Sequence, residues 1–200
     1  MEVEIVSKTP DMVETISRAA GLCYGKDDKS LNRLRNCYKV GHTGILEHAS
    51  VTFKVTGISR ACSHQLVRHR LASYCQESQR YNKYDLSGDD WYVMPPVFET
   101  NISKSQFIHA MSVAADCYMM ALSCGVKPED ARFMLPEAMK TNIMVTMNIR
   151  TLFHFFDLRL GQRAQWEIQE LAQKMEKCMM EVEFDLMQVY SDFRNKTSID

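Results

Sequence analysis

Nowhere in these 200 residues is there an uninterrupted apolar run of the roughly 18 residues that a membrane-crossing helix needs. The opening MEVEIVSKTP also lacks a basic segment followed by an apolar one, so neither a membrane partner nor a secretory leader is expected. An excess of either charge is missing as well: 24 Lys and Arg stand against 25 Asp and Glu, for a net charge of −1. That balance excludes the strong basic surplus of a dedicated nucleic-acid binder. The seven cysteines, Cys23, Cys37, Cys62, Cys75, Cys117, Cys124 and Cys178, are odd in number and form no CxxC pair. Neither a disulfide framework nor a zinc ribbon is expected, no metal is predicted, and a reducing cytoplasm is the natural location. No GxGxxG or GxxxxGK[ST] loop occurs, so any bound nucleotide is held by something other than a Rossmann fingerprint or a P-loop. Ser78 has no GxSxG elbow, and His42, Glu47 and His48 lack the HExxH spacing, which removes the common hydrolase and zinc-peptidase patterns.

What is present is an ordinary globular composition, 46% hydrophobic and 24% charged, enough for one domain spanning 1–200. Fourteen methionines are the one excess, and they fit a helical core and subunit contacts. Val3–Val6 predict a strand ending near Pro10, followed by helices over Met12–Cys23 and Leu31–Val40, the second stopped by Gly41. The β-branched run VTFKVTGIS predicts a strand, and Arg60–Arg70 a helix that places Gln65, Arg68 and His69 on related faces. The stretch from Asp85 to Pro96 reads as connection, placed to serve as a lid. Ser103 is the expected N-cap of a helix reaching Cys124 and closed by Gly125; Pro128 opens another, closed by Pro136. Apolar residues from Trp166 to Phe193, spaced by three and four, predict one amphipathic helix from Arg163 to about Phe193. The expected fold class is α+β, a single mixed domain with a small antiparallel sheet and several helices.

Chemistry concentrates in two segments. Between His48 and Gln76 there is no Asp or Glu, while Lys54, Arg60, Arg68 and Arg70 lie inside. The run QLVRHRLASYCQESQRY, Gln65 to Tyr81, adds Arg80 and the polar side chains of Ser73, Gln76, Ser78 and Gln79, a set matched to a nucleotide phosphate; it also fits a solvated basic helix. In the second segment, Asn148 to Glu167, three arginines, Arg150, Arg159 and Arg163, alternate with Leu152, Phe153, Phe155, Phe156 and Trp166. Such a mixture fits a flat heteroaromatic ligand, and its aromatics equally fit a protein core. Arg132 falls near the start of the helix opened by Pro128, where a cation is unfavourable unless an anion or acceptor meets it.

RHRLASYCQES, Arg68 to Ser78, followed by Gln79 and Arg80, resembles the signature of the flavin-dependent thymidylate synthases. GHTGILEH at 41–48, ARFMLP at 131–136 and NIRTLFHFFDLRLGQRAQWEI at 148–168 are similar to that family's other motifs, in its order and at its spacing, and AAGLCYG at 19–25 is a fainter likeness. The resemblance implies a homotetramer of α+β subunits with FAD, tightly bound, and dUMP stacked between subunits. It implies reductive methylation of dUMP to dTMP, with 5,10-methylenetetrahydrofolate as carbon donor, NADPH-reduced FAD as hydride source, and tetrahydrofolate released.

Residue by residue, the likeness assigns FAD contacts to Arg68, His69, Arg70, Leu71, Gln76, Asn148, Ile149, Arg150 and His154. It assigns dUMP contacts to Gln65, Leu66, Val67, Arg68, Gln76, Glu77, Ser78, Gln79, Arg80, Arg132 and Arg159, with Arg159 catalytic through activation of the pyrimidine. Three positions depart from the family's pattern: Gly44 stands where Ser or Thr is usual, Gln76 where Glu is frequent, and Arg163 where His is frequent. Two alternatives compete with the enzyme. One is an RNA-binding module using Arg60, Arg68, Arg70 and Arg80 with Tyr74 and Tyr81 as stacking partners; the other is a family relative that has lost turnover.

Overall fold

Alternation of side chains builds the sheet. In VTFKVTGIS the residues Val51, Phe53, Val55 and Ile58 are buried, and in KTNIMVTMN the buried set is Thr141, Ile143, Val145 and Met147. These become strands β2 (Ser50–Ser59) and β4 (Lys140–Asn148) of a computed structural model that describes residues 1–27, 29–99 and 103–197. With β1 (Glu2–Lys8) and β3 (Ala72–Gln76) they form a four-stranded sheet in the order β1-β2-β4-β3. Hydroxyls of Thr52 and Thr146 meet at 2.9 Å, and Gly57 donates its N–H to Asn142 Oδ1 at 3.2 Å. Numbers fall on one strand as they rise on the other, so the central pair is antiparallel. A mixed fold of helices and a small antiparallel sheet is thus present as expected.

The described chain packs as two compact units. The first comprises Met1–Val55, Gln65–Cys75 and Met144–Asp200; the second comprises Thr56–His64 and Gln76–Ile143. In the first, α1 (Met12–Leu22) packs on α2 (Leu31–Lys39), and α7 (Ile149–Arg159) packs on α8 (Trp166–Val182), which in turn covers β1. Asn148 caps α7 by accepting the N–H of Thr151 at 2.8 Å. From that start Ile149, Leu152, Phe153, Phe155 and Phe156 fall on one buried face, leaving Arg150, His154 and Asp157 outside. The phenylalanines of this segment, Phe153, Phe155 and Phe156, are therefore core, as the second of the two readings held, while Trp166 is half-buried. The methionine reading holds for Met12, Met175, Met179 and Met187, all buried here.

One expected long helix is two. At Glu183 the backbone leaves helical geometry (φ −139°, ψ 51°), and α9 (Phe184–Thr197) begins anew. No Gly or Pro marks the break; the Glu183 carboxylate instead takes the ammonium of Lys8 at 2.5 Å. Helix α3 (Arg60–Leu66) is also shorter than expected, ending before Arg68 and His69, which lie in the turn that follows. Tyr74 explains that turn: its hydroxyl lies 2.9 Å from the Leu66 carbonyl and 2.8 Å from the His69 carbonyl, holding the chain back on itself.

The second unit is organised around Leu86, Ala115, Tyr118, Ala131 and Met139. Besides most of α3 it contains α4 (Pro96–Glu99), α5 (Lys104–Ser123) and the single turn α6 (Pro128–Ala131), which passes into a 3₁₀ turn over Arg132–Met134. Gly125 closes α5 with φ +84°, a left-handed value open to glycine, and Pro128 occupies the first helical position of α6. Ser103 has helical φ −76° and ψ −1° instead of the extended backbone of a capping residue. The connection at 85–96 is pinned rather than lid-like: Lys140 donates its N–H to Trp91, and Val93 to Ala138, each at 2.8 Å.

Candidate active site

In the first unit the turn after α3 presents its residues in alternate directions. Val67, Arg68, Arg70 and Leu71 are exposed, Leu71 at 79%, whereas Leu66 is buried and His69 is only 7% exposed. Arg68 and Arg70 make no side-chain hydrogen bond or ion pair among the described residues, which leaves both forks open to an anion. His69 turns inward. Its ring stands edge-on to Phe155 at 5.0 Å between centroids and to His154 at 6.4 Å, and its Nε2 accepts the Nε–H of Arg159 at 3.1 Å.

That bond dictates a tautomer. An Nε2 that accepts carries a lone pair, so the ring proton of neutral His69 sits on Nδ1. Burial, followed by the Arg159 charge and then His154, pushes the imidazole down to about 4 from its ordinary 6.5. The folded state therefore binds this proton more weakly than the unfolded chain does. The stabilisation is complete above pH 6.5 and drains away as pH falls toward 4. Thermal melts of His69→Gln and wild type should accordingly converge across that window, the wild type losing more; parallel curves would contradict the assignment.

Other residues assigned by resemblance divide in the same unit. Arg150 is exposed, with Nη1 on Glu47 Oε1 at 2.5 Å, and His154 is exposed beside it on α7. Gln65 is half-buried. Ile149 is buried and its N–H goes to the Ala49 carbonyl at 2.9 Å; Ile149 and Leu66 are therefore core side chains, not exposed ones. Asn148 Oδ1 is spent on its helix cap, leaving the amide nitrogen.

In the second unit Gln76 donates through Nε2 to Ser63 Oγ at 2.8 Å and to Thr141 Oγ1 at 3.3 Å, so its amide is a brace. Glu77 is held three ways: its N–H by the Asn142 carbonyl at 2.9 Å, its Oε2 by Asn142 Nδ2 at 2.8 Å, and its carbonyl by Arg60 Nη2 at 2.7 Å. Ser78 Oγ accepts the N–H of Arg80 at 3.2 Å, and Gln79 Nε2 reaches Met139 Sδ at 3.0 Å. The structure brings Arg80 and Arg132 together on Glu129: Arg80 Nε donates to its carboxylate at 2.7 Å, and Arg132 Nε to its carbonyl at 3.0 Å. This resolves the misplaced cation at Arg132, for the acceptor is that carbonyl, and Arg132 sits in the 3₁₀ turn.

One device recurs in both units. Arg80, Arg132 and Arg159 each commit Nε to a protein acceptor and leave their two Nη groups without a protein hydrogen bond among the described residues, the Arg80 guanidinium lying over the Tyr81 ring at 5.3 Å. Guanidinium groups anchored in this way point a preset fork outward, the geometry phosphate and imide edges require. Arg132 and Gln79 also line a cavity of about 340 Å³ with Arg60 and His64. Sequence reasoning missed Glu129 as the acceptor that joins Arg80 and Arg132, and no local pattern marks it, since its carboxylate goes to a residue 49 positions away. His42 and His48, with Cys23, Gly44 and Ile45, line a separate crevice of about 310 Å³ in the first unit. Among the described residues no three His, Cys, Asp or Glu side chains are grouped as a metal ion requires.

A family model described as "Thymidylate synthase complementing protein" matches residues 4–183. The flavin-dependent thymidylate synthase of Geobacter sulfurreducens is 46% identical over 186 residues, covering 88% of this chain and 80% of its own length. That of Pyrococcus furiosus is 42% identical over 195 residues, covering 88% and 77%. Among solved structures, the flavin-dependent thymidylate synthase of Helicobacter pylori complexed with FAD and dUMP is similar at a TM-score of 0.78 and 24% identity, covering 96% of this chain and 99% of its own. A UMP/dUMP methylase of Streptomyces cacaoi bound with 5-Br dUMP is similar at a TM-score of 0.81 and 23% identity, covering 95% and 94%.

Proposed function

Because the chain belongs to the flavin-dependent thymidylate synthase family, we propose that it methylates dUMP to dTMP reductively, taking its one-carbon unit from 5,10-methylenetetrahydrofolate and holding FAD that NADPH reduces. The observation that carries the reading to particular residues is the anchored Arg159, whose Nε is fixed on neutral His69 while its Nη pair is left for the pyrimidine. A guanidinium at the polar edge of uracil stabilises the negative charge that grows there as C5 becomes nucleophilic, and it does so without reorganising when the charge appears. Arg80 and Arg132, tied together by Glu129, hold the phosphate of dUMP, and Ser78 and Gln79 complete its oxygens.

The residues present fit FAD. Exposed, unpaired Arg68 and Arg70 suit a pyrophosphate, and exposed Arg150 and His154 lie on one helix beyond them. Gly44 opens on the 310 Å³ crevice with no atom within 4 Å of where a Cβ would stand, so the side chain missing there leaves room instead of a clash. When bound, FAD supplies the hydride; the chain binds, orients and polarises.

Leu71 at 79% exposure and Phe133 at 82%, with Met120 and Met134, present large apolar side chains that support a homotetramer, in which different copies complete each site. Both compact units act as one functional domain in this reading, and the family match runs through both. The seven cysteines are free, which supports a cytoplasmic setting; among the described residues no helix is long and apolar enough to cross a membrane.

Purified protein should be yellow, have the mass of four 23.1 kDa chains by light scattering, and form dTMP from dUMP, NADPH and methylenetetrahydrofolate. Colourless protein that stays inactive after FAD is added would remove the reading. Of the two stacking partners the RNA alternative needs, only Tyr81 is exposed; the Tyr74 phenol is turned onto main-chain carbonyls instead of out toward bases.

A further inference from the structure

We infer that His69 is a positioning residue for Arg159: as a neutral acceptor it aims the guanidinium without cancelling its charge. The inference rests on the reading of Arg159 as the group that polarises the pyrimidine. Arginines in proteins are commonly oriented by carboxylates, which match the fork but also neutralise it. Here the acceptor is an imidazole nitrogen at 3.1 Å. The positive field of Arg159 is then undiminished at the ligand, where in a desolvated site it has its greatest effect.

Every contact of His69 serves this task. Its main-chain N–H is bound to the Leu66 carbonyl at 3.1 Å and its own carbonyl to the Tyr74 hydroxyl at 2.8 Å, so the backbone cannot swing. Its ring rests edge-on against Phe155, which is itself buried on α7 one turn before Arg159. A side chain seated at one position of a helix meets the side chain four residues on, and the imidazole is thereby fixed against the same helix that carries the guanidinium. The groups that face it are cationic or neutral: Arg159, and His154 at 6.4 Å between ring centroids. Both, together with burial, hold it in the uncharged form that can accept. Protonated His69 would have no lone pair at Nε2 and would repel Arg159.

The assignment shifts His69 away from the direct cofactor contact that family resemblance implies. It separates two substitutions of similar bulk. His69→Phe keeps the ring against Phe155 and deletes the acceptor; His69→Gln places an amide oxygen near the position of Nε2. With flavin absorbance retained, His69→Phe should lower kcat about 100-fold, the scale of a misplaced reacting group, while KM for dUMP moves less than about threefold. His69→Gln should restore kcat to within about tenfold of wild type. In an Arg159→Ala background, single-turnover dTMP formation should fall no further when His69→Phe is added, because a residue acting through Arg159 has nothing left to act on.

Three results would overturn the inference: full kcat in His69→Phe, a His69→Phe loss that persists undiminished beside Arg159→Ala, or flavin lost from both folded His69 variants, which would make the residue a cofactor ligand. Failure of the underlying reading has a different signature, an inactive wild type or an Arg159→Ala enzyme that turns over normally.

Discussion

Arg159→Ala is expected to reduce turnover of dUMP by about 10²–10³-fold while the protein keeps its flavin spectrum. The magnitude is that of removing one preorganised donor from a site where charge develops. The upper end of that range is expected because the lost group is a full cation whose orientation is already set by His69 at 3.1 Å. Retention of flavin follows from where the candidate cofactor cations lie: Arg68, Arg70 and Arg150 are separate exposed side chains, and none is bonded to Arg159. The fold should also survive, since Arg159 is the last residue of α7, after Phe155 and Phe156 have completed the buried face. Arg159→Lys is the informative companion. Lysine keeps the charge but has a single nitrogen, which cannot donate to His69 and present a planar fork together, so recovery should be small. Rapid-mixing measurement of dTMP formation, with visible absorbance recorded on the same samples, checks both; normal turnover in Arg159→Ala would withdraw its catalytic role.

The second large effect concerns binding. Arg80→Ala and Arg132→Ala should each raise KM for dUMP about 10- to 100-fold, the equivalent of one charge-assisted hydrogen-bond pair, with little change in kcat. The two losses should not add. Glu129 takes Arg80 on its carboxylate and Arg132 on its carbonyl, so either deletion loosens the turn that presents the other, and the double variant should fall short of the product. Deoxyuridine, which has no phosphate, supplies the control: all three variants and the wild type should handle it alike. A phosphate-independent defect in Arg80→Ala would mean that the side chain holds the fold through Glu129 and not the substrate.

Much of this architecture was legible because short-range chemistry decides it. Gly125 after α5 and Pro128 at the head of α6 do what their backbone restrictions allow, and β1, β2, α1 and α2 follow from side-chain periodicity. Strands β3 and β4 were passed over, although β4 carries a clean period of two in Thr141, Ile143, Val145 and Met147. The misjudged helix ends coincide with side-chain contacts: α3 ends at Leu66, where the Tyr74 hydroxyl lies within hydrogen-bond distance of the Leu66 and His69 carbonyls, and α8 ends at Val182, next to the Glu183 that pairs with Lys8. Lys8 is 175 positions from Glu183, beyond any local pattern, and Tyr74 lies eight positions past Leu66, outside the helix period.

The site shows the same division. The motif arginines could be picked out by type and spacing, and the structure gives Arg80, Arg132 and Arg159 a common anchoring through Nε. Their acceptors could not. An imidazole 90 positions away from its guanidinium, or a carboxylate 49 positions from its own, is selected by the fold. Ile149 and Leu66 are instructive in the opposite sense: they sit inside the motifs, yet both are buried. A recognised motif thus contains residues that shape the core as well as residues whose side chains are exposed.

The clasp between Lys8 and Glu183 also sets an order of events during synthesis. Its two ends are 175 positions apart, and Cys178 reaches back to the Val3 carbonyl over the same span. At translation speeds of about 5–20 residues per second, β1 leaves the ribosome roughly 9–35 s before the helix that covers it. Through that interval β2 is available to pair with β1, but Val3 and Ile5 lack the helix that covers them until nearly the whole chain has been made.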